Sequence, residues 1–220
     1  AVGGDLPAEG DLAVDAVTAA RGHLYSFFCG LLAPLPSAGL LEQLTRGENL
    51  AYLDVLRGLN QAEITAGAEE FAAYLGGLTP EITSGEVARL AVDRTALLRA
   101  TGTGGLKAPY ERLFRPKREE ETVIPAVQAF YRRAGLRQPN ALQEAPDYLL
   151  TQLEFLANLC LQQDTLPQAD LLCREFFTTH AGTWMPDWAA QAAQAAQTGF
   201  YRGALGMLSG FLRLEGEFFQ

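Results

Sequence analysis

Behind Pro146 and Asp147, the apolar residues Leu149, Leu153, Leu156 and Cys160 recur at steps of three and four, a spacing that a helix satisfies and a strand does not. Proline suits the first turn of a helix, where its missing N–H has no intrahelical partner, and Asp147 brings a carboxylate to the positive end of the macrodipole. The sequence predicts a helix over 144–163 with a core-facing stripe and a compact acidic turn at its start.

The same periodicity runs through the rest of the chain. Over 12–32, Val14, Val17, Leu24, Phe27, Phe28 and Leu31 share one helical face, and Pro34 and Pro36 stop the pattern. Shorter helical segments follow at 38–45 and 48–56, then a firmer one at 63–75 that ends at Gly76-Gly77. Ser84 and Glu86 open another, in which Val87, Leu90, Ala91, Leu97 and Leu98 form the apolar face as far as residue 100. Between 119 and 135, Glu119, Glu120 and Glu121 precede a helix, Pro125 lies in its first turn, and Arg132 and Arg133 close it before Gly135. A helix from residue 166 carries Leu171, Leu172, Phe176 and Phe177, and two more cover 184–197 and 198–214. No alternating stretch calls for a strand, so the expected fold is all-α, a bundle of about ten helices. Residues 1–10 are small and polar and read as a flexible arm, with a single helical domain over 11–220 and a glycine-rich connector at 101–108.

Composition narrows the function classes. At 220 residues and 48% hydrophobic, the chain is long enough to bury one substantial core. Its 17 basic against 26 acidic residues leave a net charge of −9, which disfavours a DNA-binding regulator or an anionic membrane surface and favours a cationic partner. No apolar run approaches the roughly 20 residues that span a bilayer, so no stable membrane insertion is expected. Cys29, Cys160 and Cys173 lie within apolar helical stretches without C-x-x-C spacing and read as reduced core thiols, which points to the cytoplasm.

Reactive constellations are missing. In the 101–108 connector, Leu106 precedes Lys107 and Ala108 follows it, where a phosphate loop needs glycine and then Ser or Thr. His23 and His180 are far apart, and neither has Cys, Asp or Glu at metal-ligand spacing. His180 reads as a helix C-terminal residue stacked near Trp184. No catalytic residue, metal site or cofactor is expected. A binding site is: Glu144 and Asp147 are close in the acidic turn and free to accept charge-assisted bonds from guanidinium groups, with Tyr110, Tyr148 and Leu149 as apolar and amphipathic contact area. An alternative use of the same carboxylates is structural, Asp147 capping its own helix and Glu144 bonding local backbone. In the ligand reading, Asp147→Ala leaves melting nearly unchanged.

The stretch from Glu144 to Leu156 resembles the E-x-P-D-H-x-x-x-x-L-E-F-(M/L) signature of the TorD/DmsD/NarJ-type cytoplasmic chaperones of molybdenum-containing oxidoreductases. Pro109-Tyr110-Glu111 is similar to the P-Y-E-S segment of that family. The run from Val127 to Leu136 is similar to the helix before the acidic turn, and Phe176, His180, Trp184, Phe200 and Tyr201 to the pattern of the closing helices. Tyr148 stands where the signature has histidine, and Arg112 where P-Y-E-S has serine. The resemblance implies a TorD-like, non-enzymatic chaperone that binds the twin-arginine leader or N-terminal segment of an apo molybdopterin oxidoreductase catalytic subunit. It implies client contacts at Glu144, Pro146, Asp147, Tyr148, Tyr110 and Leu149, and it allows a monomer or a domain-swapped dimer. A guanine-nucleotide-binding helical switch or enzyme is the alternative.

Overall fold

A computed structural model describes residues 9–79, 84–99, 104–136, 145–163, 165–166 and 168–220. Among them are ten α-helices and no strand. They are α1 (Glu9–Leu32), α2 (Ala38–Leu44), α3 (Gly47–Gly58), α4 (Ala62–Gly76), α5 (Ser84–Arg99), α6 (Glu120–Arg133), α7 (Leu149–Leu161), α8 (Ala169–Thr179), α9 (Met185–Ala195) and α10 (Gly199–Phe218). All ten contribute to one continuous buried apolar cluster. The expected arm lies almost wholly outside the described residues, as do positions 101–103 of the connector and Glu144.

Two buried helices organise the bundle. In α7, ten of thirteen residues are buried, eight of them apolar, so the helix is enclosed, with α1 and α8 against it. The other, α10, lies against α4 and α9. Its contact with α4 is backbone on backbone. A Cβ at Gly203 would meet the Phe71 amide nitrogen at 2.6 Å and the Gly67 carbonyl at 2.7 Å, and a Cβ at Gly67 would meet the Met207 amide nitrogen at 2.6 Å. Glycine is required on both sides of that crossing.

Charges are buried where helices need pinning. Arg21 of α1 donates to both carboxylate oxygens of Glu215 on α10, at 2.7 and 2.8 Å, and the Tyr25 hydroxyl adds a third bond at 2.7 Å. Asp93 of α5 accepts from the Thr198 amide at 2.8 Å and its hydroxyl at 2.6 Å, and so supports the N-terminus of α10.

Several helix starts differ from the sequence expectation: α1 begins at Glu9 rather than at residue 12, α8 at Ala169 rather than at residue 166, and two others rearrange a charged turn. Glu120 and Glu121 form the first turn of α6 instead of preceding it, which moves Pro125 to the second turn. The carboxylates still meet the positive end of the dipole. In the other case, α7 begins at Leu149, with Tyr148 as an extended N-cap (ψ 142°), so Pro146 and Asp147 lie ahead of the helix. The cause is a long-range partner: the Leu149 amide donates to the Pro109 carbonyl at 3.0 Å, a bond that takes one of the donors a helix N-terminus leaves over.

Candidate functional site

The acidic turn is built by two segments lying antiparallel. Pro109-Tyr110-Glu111 runs alongside Asp147-Tyr148-Leu149, with the Glu111 amide donating to the Asp147 carbonyl at 2.9 Å and an isolated bridge pairing Tyr110 with Tyr148. The two tyrosine rings lie 5.1 Å apart at 41°. After Tyr110 the chain winds into a 3-10 turn, Glu111–Phe114, which aims two carboxylate–arginine pairs at the bundle. Lys107 anchors this strap at the other end, its carbonyl accepting from the Trp188 indole at 2.9 Å and its ammonium donating to the Leu113 carbonyl at 2.7 Å.

Glu111 is the hub of the first pair. Its carboxylate is fully buried and accepts from Arg115 Nη2 at 2.5 Å, Gln152 Nε2 at 2.6 Å and His180 Nδ1 at 2.8 Å. Gln152 in turn accepts from the Trp184 indole at 3.2 Å, and Arg115 donates to the Thr179 carbonyl. Glu111 thereby ties the strap to α7 and to the end of α8, and Gln152 extends the network to the start of α9. Burial pushes the Glu111 carboxyl up, but the bonds from His180, Arg115 and Gln152 outweigh it and hold the group below its usual range.

The second pair joins Asp147 to Arg112. Arg112 Nη1 donates to Oδ1 at 2.6 Å, the Arg112 amide donates to Oδ2 at 3.2 Å, and the guanidinium packs over the Tyr110 ring at 4.6 Å. Asp147 is fully buried, whereas the Arg112 side chain is 33% exposed. Burial raises the Asp147 carboxyl, an effect that the Arg112 amide and guanidinium partly offset and the nearby Glu111 charge reinforces.

The expected site residues separate on this geometry. Tyr110, Asp147 and Tyr148 are brought together, and Pro146 joins them through its carbonyl, which accepts from the Tyr131 hydroxyl at 2.7 Å. Leu149 is fully buried in the core, and Pro146, Asp147 and Tyr148 are buried as well, which leaves Tyr110 as the partly exposed member. Glu144 lies outside the described residues. Asp147 is neither free nor the cap of its own helix, because it caps the 3-10 turn opposite and is already paired. His180 packs on Phe130 and Phe176, at 5.3 and 5.2 Å, while Trp184 stacks on Phe114. Arg112, Arg115 and Gln152 were invisible as site members, since only the fold shows which carboxylate each one meets.

This pairing changes the expected effect of Asp147→Ala. The variant loses a cap and strands a partly solvated arginine, so stability should fall by about 1–3 kcal/mol rather than stay level. A thermal melt checks it, and an unchanged melting temperature would show that the pair contributes nothing.

A separate cavity of about 720 Å³ opens between α4, α5 and the start of α10, with Tyr74, Leu78 and Val92 on its apolar walls. Its polar members are tied to one another, Glu86 accepting from Tyr74 and Arg89. No group of three or more His, Cys, Asp or Glu suited to a metal exists among the described residues, and no described helix is long and apolar enough to cross a membrane.

Residues 59–190 match the family described as nitrate reductase delta subunit. The chlorate reductase assembly chaperone of Ideonella dechloratans is 33% identical over 109 residues, which cover 45% of this chain and 55% of that protein. The selenate reductase assembly chaperone of Thauera selenatis is 31% identical over 101 residues, 41% of this chain and 52% of that one. These alignments span about half the length of either relative. A longer match, 25% identical over 186 residues, joins 80% of this chain to 85% of the chaperone protein TorD of Vibrio vulnificus. No solved structure matches significantly. The helical fold and the family match over residues 59–190 agree: the chain belongs to the TorD/NarJ-type family of reductase maturation chaperones.

Proposed function

We propose that this protein is a cytoplasmic, system-specific chaperone without catalytic activity of its own, and that its client is the cofactor-free catalytic subunit of a molybdopterin-dependent oxidoreductase. It holds the client's twin-arginine leader or N-terminal segment until the cofactor has been inserted. The observation that carries this reading is that its matched relatives are named as assembly chaperones of chlorate and selenate reductases and as TorD. The net charge of −9 suits a client segment that leads with cations.

In this reading the acidic turn receives the client, with Asp147 and Glu144 as acceptors for guanidinium, Tyr110 as aromatic contact, and Pro146, Tyr148 and Leu149 as the framework that sets the turn. Differential affinity does the work. The chaperone must bind the unfilled client more tightly than the mature one, because equal affinity shifts no population. A micromolar to submicromolar leader complex corresponds to roughly 8–10 kcal/mol, within reach of an apolar contact plus a few charge-assisted bonds.

The test is affinity purification from the native host at low salt, with co-purifying proteins identified by mass spectrometry. One molybdopterin-type catalytic subunit in its cofactor-free form is the expected enrichment. Recovery of none, while such subunits are being synthesised, would overturn the proposal.

A further inference from the structure

We infer that the Asp147 carboxylate is a guanidinium-binding site that the chain keeps closed with its own Arg112, so that an arginine-bearing ligand binds there by exchange. The identity of that ligand as a client leader rests on the function proposed above. The guanidinium site itself rests on geometry.

Asp147 presents a fully buried carboxylate whose orientation is set by backbone. The Arg112 amide holds Oδ2 at 3.2 Å, and that bond belongs to the 3-10 turn, so it does not depend on where the Arg112 side chain goes. Oδ1 accepts from the side chain, through Nη1 at 2.6 Å. The guanidinium reaches from that buried oxygen to solvent with 33% of the side chain exposed, and it has the Tyr110 ring beneath it at 4.6 Å. A carboxylate beside an aromatic face is an arrangement that favours a planar guanidinium over an ammonium, since the plane stacks while the N–H groups bond. Arg112 therefore fills a subsite whose remaining parts stay in place when it swings out.

Exchange also fits the charge balance. Removing Arg112 without replacement leaves a buried carboxylate unpaired, which is costly, whereas replacing one guanidinium by another leaves the charge neutralised both before and after the exchange. The cost to an incoming ligand is a lowered apparent affinity, because only the fraction of molecules with Arg112 displaced can bind. Arg112 thus sets a threshold. A single exposed arginine competes poorly with a tethered one held at high effective concentration, and a segment that adds apolar contact next to its arginine can win.

Two measurements separate the site from its ligand. In the first, Arg112→Ala is melted with N-ethylguanidinium at millimolar concentration, with ethylammonium as control. Stabilisation of the variant by the guanidinium alone, with the unaltered protein unmoved, is expected. Arg112→Lys, which keeps a cation against the carboxylate, takes its place if the alanine variant does not fold, and it too should gain from the guanidinium. In the second, a synthetic peptide with an arginine pair followed by an apolar stretch is titrated by fluorescence anisotropy against the unaltered protein, Arg112→Ser, and Arg112→Ser combined with Asp147→Asn. About tenfold tighter binding to Arg112→Ser is expected, with the gain absent for a lysine-pair peptide and lost in the double variant. Equal peptide binding to the unaltered protein and Arg112→Ser, without rescue by guanidinium, overturns the exchange and leaves the leader reading standing. Selective rescue with no peptide binding to any variant upholds the guanidinium site and removes the leader as its ligand.

Discussion

Glu111→Ala is expected to lower stability by about 3–5 kcal/mol, one of the largest effects of any single substitution in this fold. The size follows from what the carboxylate holds. Its side chain is fully buried, and deleting it strands Gln152 Nε2, His180 Nδ1 and the Arg115 fork together. Arg115 is 21% exposed and still donates to the Thr179 carbonyl, so water recovers part of its loss and the lower half of the range is expected. At roughly 2–4 °C per kcal/mol for a chain of this size, the melting temperature should fall by about 6–16 °C. Because Glu111 joins the strap to α7 and to the end of α8, hydrogen exchange at the Glu111 and Leu149 amides should rise with it. A melting temperature within a degree of the parent would show that the network is neutral and that apolar packing alone fixes the strap.

The same residue sets an acid limit. Glu111 is held below its ordinary value of 4.5, so its contribution is complete above that pH and is lost as pH falls through the lower, folded-state value. Asp147 acts in the opposite sense. Its carboxyl is raised above 3.8, so the folded chain takes up a proton before the unfolded one does, and stability from this group declines as pH rises toward the folded value. Glu111→Gln keeps the shape without the titration. Its stability should therefore fall less steeply than the parent's below pH 4.5, and parallel slopes in a pH series of melts would contradict the assignment.

What was legible in the sequence was local. The stripe Leu149, Leu153, Leu156 and Cys160 is buried as its spacing requires, and the glutamates and arginines of α6 occupy the ends their charges suit. At the acidic turn, errors begin where a distant segment intervenes. Pro146 looked like a helical first-turn proline, yet the Pro109 carbonyl claims the Leu149 amide and the helix starts three residues later. Asp147 looked like a free acceptor because nothing in its neighbourhood is basic. Its arginine comes from the 3-10 turn, at the position where the P-Y-E-S segment of the family has serine, and no local pattern joins the two. The departure from the family pattern was visible, but its meaning depended on the fold. His180 was read correctly as a helix-end residue and assigned the wrong neighbours, since aromatic partners are chosen by packing between helices and not by order in the chain.

Gly203→Ala is the second large effect, and here a single methyl group is the whole perturbation. The added Cβ would lie 2.6 Å from the Phe71 amide nitrogen and 2.7 Å from the Gly67 carbonyl oxygen. Both are backbone atoms of α4, so no rotamer change can make room and the two helices must separate. Separation is opposed by the buried contacts around the crossing, including the Phe71–Phe200 ring pair at 5.0 Å and the fully buried Met207 and Leu208. Alanine's better helix propensity returns at most about 1 kcal/mol, whereas overpacking of this kind costs typically 1–3 kcal/mol and more when backbone is the obstacle. A net loss of about 3 kcal/mol is expected, with a fall of about 6–12 °C in melting temperature. Gly206→Ala provides the control: its nearest neighbour, the Gly67 Cα, would be at an ordinary 3.6 Å, so the variant should melt at or slightly above the parent. Equal melting of the two variants would mean that the α4–α10 crossing is looser than the close approach of Gly67 and Gly203 requires, and that the bundle is held together mainly by α7.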